Sequence, residues 1–533
     1  MKLVKRMLWA LLPVVLLAGA ARGDRPAAPA RVSAPRAAAP SPASPGAAPM
    51  PRFTLFGWVS PPSAFESAER YREMAGAGFN VTVLAWEDSG LASANRRRLD
   101  WTAPVGLRNL LLDSQLDHYH AARPETHRWA DSVTARYRDE PAFLGYYLGD
   151  EPAPADFERL REWFDALRAR DPLHPGWNNL FGRMVFSSRE QFEQYVRNYV
   201  AAVDPAVLCA DQYDFLSGGD RHQLVENVAA LAAIARENGL PFWGIVQLVQ
   251  HRGYRPVTEG LLRWQVAQWL SYGARGIGYF TYWTPAPDTT WDWQPAMIAW
   301  GTGARTPAYE WVRGLNVHAS AVGVELAGMQ WLSTEHAGSV EPGGTPFAPD
   351  SLLAAVEGRA TIGTFADSLG RAHLLVGNAD SLAAREVALV LAGAGRRVWR
   401  LRDDGGWAEL AVSAAGRCAI SFAPGDFTLL RLSGALGSVV AGRSPLRLEA
   451  FPNPARGAVR LTFGGMAPGA RLELLDASGR RVWARDYPAG GSAAATWNGE
   501  RAGGGRAPAG LYFARLEDSR GVVARRVAWL GGR

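Results

Sequence analysis

Cysteine is nearly absent from this chain: Cys209 and Cys418 are its only two. They fall in different expected domains, so they read as two buried free thiols in a fold that does not depend on disulfides. A basic face is missing as well. The formal net charge of +6 is spread thinly and Arg96-Arg97-Arg98 stands isolated, which argues against a nucleic-acid partner. No apolar run beyond the N-terminal segment is long enough to span a bilayer. There is no G-x-S-x-G elbow for a serine hydrolase and no Gly-rich phosphate loop after an early strand. His118 and His120, with Asp113, could begin a metal site, but no third histidine converges on them. Neither a metal nor a cofactor is expected.

What is present is 533 residues, 48% hydrophobic and 20% charged. That is globular material too long for a single core, and about three domains is the expectation. The opening "MKLVKRMLWALLPVVLLAGAARG" has a basic start, an apolar run and small residues at its end, the pattern of a signal peptide over 1–23. Residues 24–50 are almost all Pro, Ala, Ser, Arg and Gly, a tether without core-forming capacity. Strand-like and helix-like segments then alternate. Eight apolar runs can be read: "FTLFGWV", "FNVTVLAW", "RNLLLD", "FLGYYLGDEP", "HPGWNNLFG", "AVLCADQYDF", "PFWGIVQLVQ" and "ARGIGYFTYW". Between them lie segments with apolar residues every three to four positions, such as "FERLREWFDALRARD". The expectation is a (β/α)₈ TIM barrel over 51–320, with an open doubly wound sheet as the alternative. After 320 the helical period gives way to short alternating strands. Two all-β sandwich domains are expected, over 321–436 and 437–533.

Barrels of this kind work at the C-terminal ends of their strands, so the polar residues there are the candidates. The fourth run ends in Asp150 and Glu151, and the sixth in Asp211, Tyr213 and Asp214. The second ends in Trp86 and Glu87. The fifth supplies Trp177, Asn178 and Asn179, the seventh Gln247, Gln250, His251 and Arg252, and the eighth Tyr282 and Trp283. Aromatic rings suit sugar faces, amides and Arg suit hydroxyls, and two carboxyls can cleave a glycosidic bond, one protonating the leaving oxygen while the other attacks or activates water. Glu151 is the expected acid. Asp211, Asp214 and Glu87 compete as its partner, and Asp150, Trp86, Trp177, Asn178, Asn179, Tyr213, Gln247, Gln250, Arg252, Tyr282 and Trp283 are expected to bind substrate. Plainer roles stand beside these: Glu151 could cap the next helix, Asp211 and Asp214 could hold a loop, and the tryptophans could fill cores.

Residues 53–317 resemble a glycoside hydrolase barrel of the large retaining clan, close to the family-42 beta-galactosidase-like group. The resemblance rests on "FLGYYLGDEP", "CADQYDF" and the stretch from "FWGIVQLVQHRGY" to "GYFTYWTP". It implies an acid/base at Glu151. The clan's seventh-strand nucleophile, a Glu, has no counterpart, since Gln247 and Gln250 stand there, and Asp150 replaces the Asn that usually precedes the acid. Residues 321–436 resemble the accessory β-sandwich of such barrels. Residues 437–533, through "FPNPARGAVRLTF", "LLDASGRRVW" and "APAGLYFARL", resemble FlgD-like immunoglobulin or type IX secretion-sorting domains, which implies an exported bacterial protein, secreted or held at the outer surface. The expected function is an exported glycosidase acting on a carbohydrate. A non-catalytic carbohydrate-binding protein and a structural surface protein are the alternatives.

Overall fold

The computed structural model describes residues 50–83, 91–116, 126–435 and 447–531, less 452, 454, 467–468, 477–478, 489–490, 502–503 and 519–520. The leader, the tether up to residue 49, Trp86, Glu87, His118 and His120 therefore lie outside the described residues.

Eight strands carry the first unit: β1 (Thr54–Trp58), β2 (Val81–Val83), β3 (Arg108–Leu111), β4 (Phe143–Asp150), β5 (Gly176–Asn179), β6 (Leu208–Gln212), β7 (Phe242–Gln247) and β8 (Gly276–Phe280). Every registered neighbour pair is parallel, in the order β5-β4-β3-β2-β1-β8-β7-β6. The ring closes between β5 and β6, where Leu180 bridges Ala210 and its N–H donates to the Cys209 carbonyl at 2.8 Å. One helix follows each strand: α1 (Ala68–Gly76), α2 (Ala92–Thr102), α3 (Thr126–Tyr137), α4 (Phe157–Arg170), α5 (Arg189–Val203), α6 (Leu224–Asn238), α7 (Glu259–Ser271) and α8 (Pro307–Leu326). This is a (β/α)₈ barrel, the architecture the alternation predicts and not the open sheet.

The helices form because their apolar residues recur on one face and their ends are satisfied. In α5 the buried residues are Phe192, Tyr195, Val196, Tyr199 and Val203, the Ser188 side chain accepts the Gln191 N–H at the start, and Asp204 turns left-handed at the end. The strands alternate: Leu55 joins the layer under the helices, while Phe56 and Trp58 point into the barrel. Inside, Trp177 packs against Phe56, Trp58, Tyr147 and Trp243 with ring centroids 5.3–6.3 Å apart. Burying rings of this size stabilises by roughly 2–3 kcal/mol each. Glycine makes the room, since a Cβ at Gly278 would lie 2.3 Å from the Phe56 ring.

Helix α8 runs to Leu326, past the expected change of pattern at 320, because Val322, Gly323 and Leu326 still pack on the barrel. Two antiparallel sheets follow. One contains β10 (Leu353–Glu357), β13 (Arg385–Leu391) and β16 (Arg417–Phe422). The other contains β9 (Gln330–Ala337), β11 (Ala360–Ala366), β12 (Arg371–Asn378), β14 (Val398–Leu401), β15 (Trp407–Leu410) and β17 (Phe427–Ala435). Their shared core includes Ile362, Leu374, Leu389, Cys418 and Leu430. Phe365, Leu375, Phe427 and Leu429 join the barrel's helix layer instead, and the Gln268 side chain of α7 donates to Thr361 at 3.0 Å, so this sandwich is packed onto α7. The last unit has sheets β18 (Arg447–Phe451), β19 (Val459–Met466), β22 (Gly491–Trp497) and β20 (Ala470–Asp476), β21 (Arg481–Tyr487), β23 (Gly510–Asp518), β24 (Gly521–Trp529) around a core of its own, centred on Leu472, Trp497, Tyr512 and Trp529. Both cysteines are buried and free. Among the described residues no helix is long and apolar enough to cross a membrane.

Candidate active site

The ends of β4 and β6 bring three carboxyls together, with β5 between them. At the end of β4 the chain leaves regular geometry: Gly149 has φ 118° and Glu151 φ 47°. A left-handed glutamate costs roughly 1–3 kcal/mol and persists only where the surroundings impose it. Here the Glu151 N–H donates to the Asn179 carbonyl at 2.8 Å, the Asn178 side chain donates to the Gly149 carbonyl at 3.0 Å, and the Tyr195 hydroxyl donates to the Pro152 carbonyl at 2.9 Å. Asp150 stands opposite Asn179 in the register. The Asn179 amide nitrogen donates to Asp150 Oδ1 and to Asp211 Oδ1, each at 3.1 Å. Tyr213 also favours the charged form of Asp211.

Asp150 and Glu151 are half-buried and Asp211 is buried. Among the described residues no cation pairs with any of the three, and no hydrogen bond reaches the Glu151 carboxyl. Burial, and then the negative charge of Asp211, raises the pKa of both Asp150 and Glu151 above the ordinary carboxylate range; Asp150 adds to the effect on Glu151. Asp211 is raised by burial too, but the donors from Asn179, its own backbone and Tyr213 oppose the rise. The site thus favours a proton on the β4 carboxyls and ionisation on Asp211.

The wall on the β7–β8 side is aromatic. Tyr213 stacks on Phe280 at 5.4 Å and meets Tyr254 edge-on at 6.1 Å. His251 lies between Tyr254 and Trp293, each centroid 4.6 Å away. Burial pushes its pKa down to about 4. The neutral ring therefore carries its proton on Nδ1, which donates to the Val249 carbonyl at 3.1 Å. On this side Arg221 donates to the Tyr213 carbonyl and lies over the Tyr254 ring.

Other expected site residues lie elsewhere or are spent on structure. Trp177 is enclosed by four rings in the barrel interior and has no open face for a sugar. Trp283 is 1% exposed, packed on Phe65 with Arg70 over its ring, and Tyr282 is wholly buried beside Phe79, so neither can serve as a platform. Asp214 accepts from the Gln223 and Leu224 N–H groups, both at 2.7 Å, and from Gln212 at 2.6 Å. It ties down the start of α6 and is not a free partner carboxylate. Gln247 both accepts from and donates to the Phe215 backbone and is fully buried. Asn178 holds Gly149 and accepts from Tyr199. Gln250 is half-buried, and its carbonyl accepts from the Gln294 N–H; Arg252 is exposed and lies over Trp291. Sequence reasoning passed over Tyr254, Phe280 and Tyr195. Phe280 is the last residue of β8, a position that could have marked it. Two concavities, about 760 Å³ along Leu391–Gly416 and about 230 Å³ between Asp214 and Asp380, contain none of the three carboxyls.

The class is thus a (β/α)₈ barrel with unpaired carboxyls at its mouth. No protein-family model matches the chain, and no curated protein matches it. Solved structures similar to it are glycoside hydrolases of several families. A family 39 glycoside hydrolase from Bacteroides cellulosilyticus WH2 shares 12% identity over 72% of this chain and 81% of its own, with TM-score 0.46. A family 5 glycoside hydrolase from Bacteroides vulgatus shares 14% over 71% and 88%, also at 0.46. A glucosidase from Croceicoccus marinus shares 13% over 72% and 96%, at 0.39. Likenesses this distant leave the activity to be argued from the site itself.

Proposed function

We propose that the chain is an exported glycoside hydrolase cleaving O-glycosidic bonds in a polysaccharide or oligosaccharide, with Glu151 as general acid and Asp211 as the second carboxylate. A barrel alone implies no activity. The reading is carried by the meeting of Asp150, Glu151 and Asp211 without a described cation, beside a Glu151 backbone forced left-handed. Glu151, its pKa raised by burial and by Asp211, keeps a proton for the leaving oxygen. Asp211, supplied with donors, acts as nucleophile or as base toward water. Other nucleophiles are poorly placed. Lysine occurs only at positions 2 and 5, which excludes Schiff-base chemistry in the barrel. The Cys209 thiol is buried and its pKa raised, hence inert. The family-42-like kinship, the signal peptide and the sorting role of the last unit belong to the same proposal and rest on the sequence motifs.

A second reading, a carbohydrate-binding protein on a degenerate barrel, is favoured by the end of β7. Gln247 stands there and is fully occupied with the Phe215 backbone. Assay of the whole chain on a panel of polysaccharides and oligosaccharides, beside Glu151→Gln, separates the two. Hydrolysis that falls ~10²–10⁴-fold in the variant is expected. Saturable glycan binding with no product from any substrate would replace the enzyme by the binding protein.

A further inference from the structure

We propose that Asn179 is a positioning residue that clamps Asp150 to Asp211, fixing their spacing and favouring their ionised forms. As a statement about catalysis this rests on the glycosidase reading; as a statement about the two carboxyls it stands apart from it.

The placement follows from the barrel seam. Asn179 is the last residue of β5, between β4, which carries Asp150, and β6, which carries Asp211. Leu180, the next residue, closes the ring against β6, so the Asn179 backbone cannot drift from either neighbour. The residue is 4% exposed, and its Oδ1 is buried without a partner. The amide is therefore oriented by its two donor bonds to the aspartates alone. The N–H bonds of a planar amide diverge by about 120°, which sets the accepting oxygens roughly 5 Å apart.

An amide nitrogen can only donate, so it stabilises carboxylate over carboxylic acid at both ends. It opposes the two influences that favour protonation, burial and mutual repulsion. Among the other titratable groups facing the pair, Glu151 also has a raised pKa, in wild type and in the Asn179 variants alike, whereas the thiol and the phenols do not compete across the working range. On the same strands these groups are Glu151, Cys209 and Tyr213; from α5 and the β7 loop they are Tyr195 and Tyr254. Burial raises the pKa of the thiol and of all three phenols. Arg221 is engaged by Tyr213 and Tyr254.

Thermal unfolding of the full chain from pH 4.5 to 8.5 tests the clamp without a substrate. Removing the donors raises both carboxyl pKa values further, so ionising them costs the folded state more. The Tm deficit of Asn179→Ala should widen by at least ~2 °C from the acid to the alkaline end. Asn179→Ser, which keeps one donor and disturbs packing less, should widen about half as much. In an Asp150→Asn/Asp211→Asn background the pH dependence should vanish. A deficit equal at every pH, or one whose pH dependence survives in that background, would overturn the proposal and leave Asn179 a packing residue. Failure of every glycan to be cleaved would instead remove the glycosidase reading and leave this result untouched.

Discussion

Two sets of enclosed acids in the barrel differ in what surrounds them. Glu66, Asp113, Asp171 and Asp214 are each answered by donors. Glu66 meets Arg98 at 2.6 Å and Tyr71 at 2.5 Å, Asp113 meets Arg136 at 2.7 Å and Tyr137 at 2.6 Å, Asp171 meets Tyr146 and His174, and Asp214 takes two backbone N–H groups. Asp150, Glu151 and Asp211 have neutral donors or none and repel one another. The first set holds loops and helices in place. The second set costs stability, and a cluster of carboxyls whose pKa values are pushed up by burial and by one another marks a candidate functional site.

Substitutions should therefore act in opposite directions on the two sets. Glu66→Ala removes the carboxylate paired with Arg98, whose side chain is 4% exposed beside a Glu66 side chain at 2%. A loss of about 3–5 kcal/mol in denaturant unfolding is expected; a near-neutral result would show that this pair does not hold the structure. Asp214→Ala removes the acceptor for the first turn of α6 and should cost about 1–2 kcal/mol by the same measurement. Asp150→Asn should do the reverse. A carboxyl whose folded pKa is raised retains, between its ordinary and its raised value, a proton that the unfolded chain has released. The wild type therefore loses stability as pH rises through that window. The asparagine variant escapes this loss, so its Tm should match wild type near pH 4 and exceed it at pH 8, by a gain on the order of 1 kcal/mol. A variant less stable than wild type at pH 8 would move Asp150 into the structural set.

Much of the frame was legible in the residue pattern. Each of the eight apolar runs contains a strand, because a barrel strand buries both faces and reads as a short unbroken stretch. Strands β10 and β15 are hard to read from the sequence, since "LAAVE" and "WAEL" are short, half-open and rich in residues with weak strand preference. Asp150, Glu151 and Asp211 were legible as strand-end acids. The fate of the other candidates was not. Trp177 and Trp283 could be named as aromatic, but whether a ring faces the cleft or the core depends on neighbours such as Phe56 and Phe65, far away in the chain.

The sequence by itself determined the succession of strands and helices, through apolar periods that need no long-range partner to be read. It also set which acids stand at strand ends. Only the tertiary structure decided which of those acids are tied to the backbone and which meet one another. Asp214 is consumed by backbone nine and ten residues on, whereas Asp150 and Asp211 are joined by an amide 29 and 32 residues away. The physical reason is that a carboxyl's charge state follows its burial and its donors, and both are supplied by whichever segments the closed barrel brings beside it.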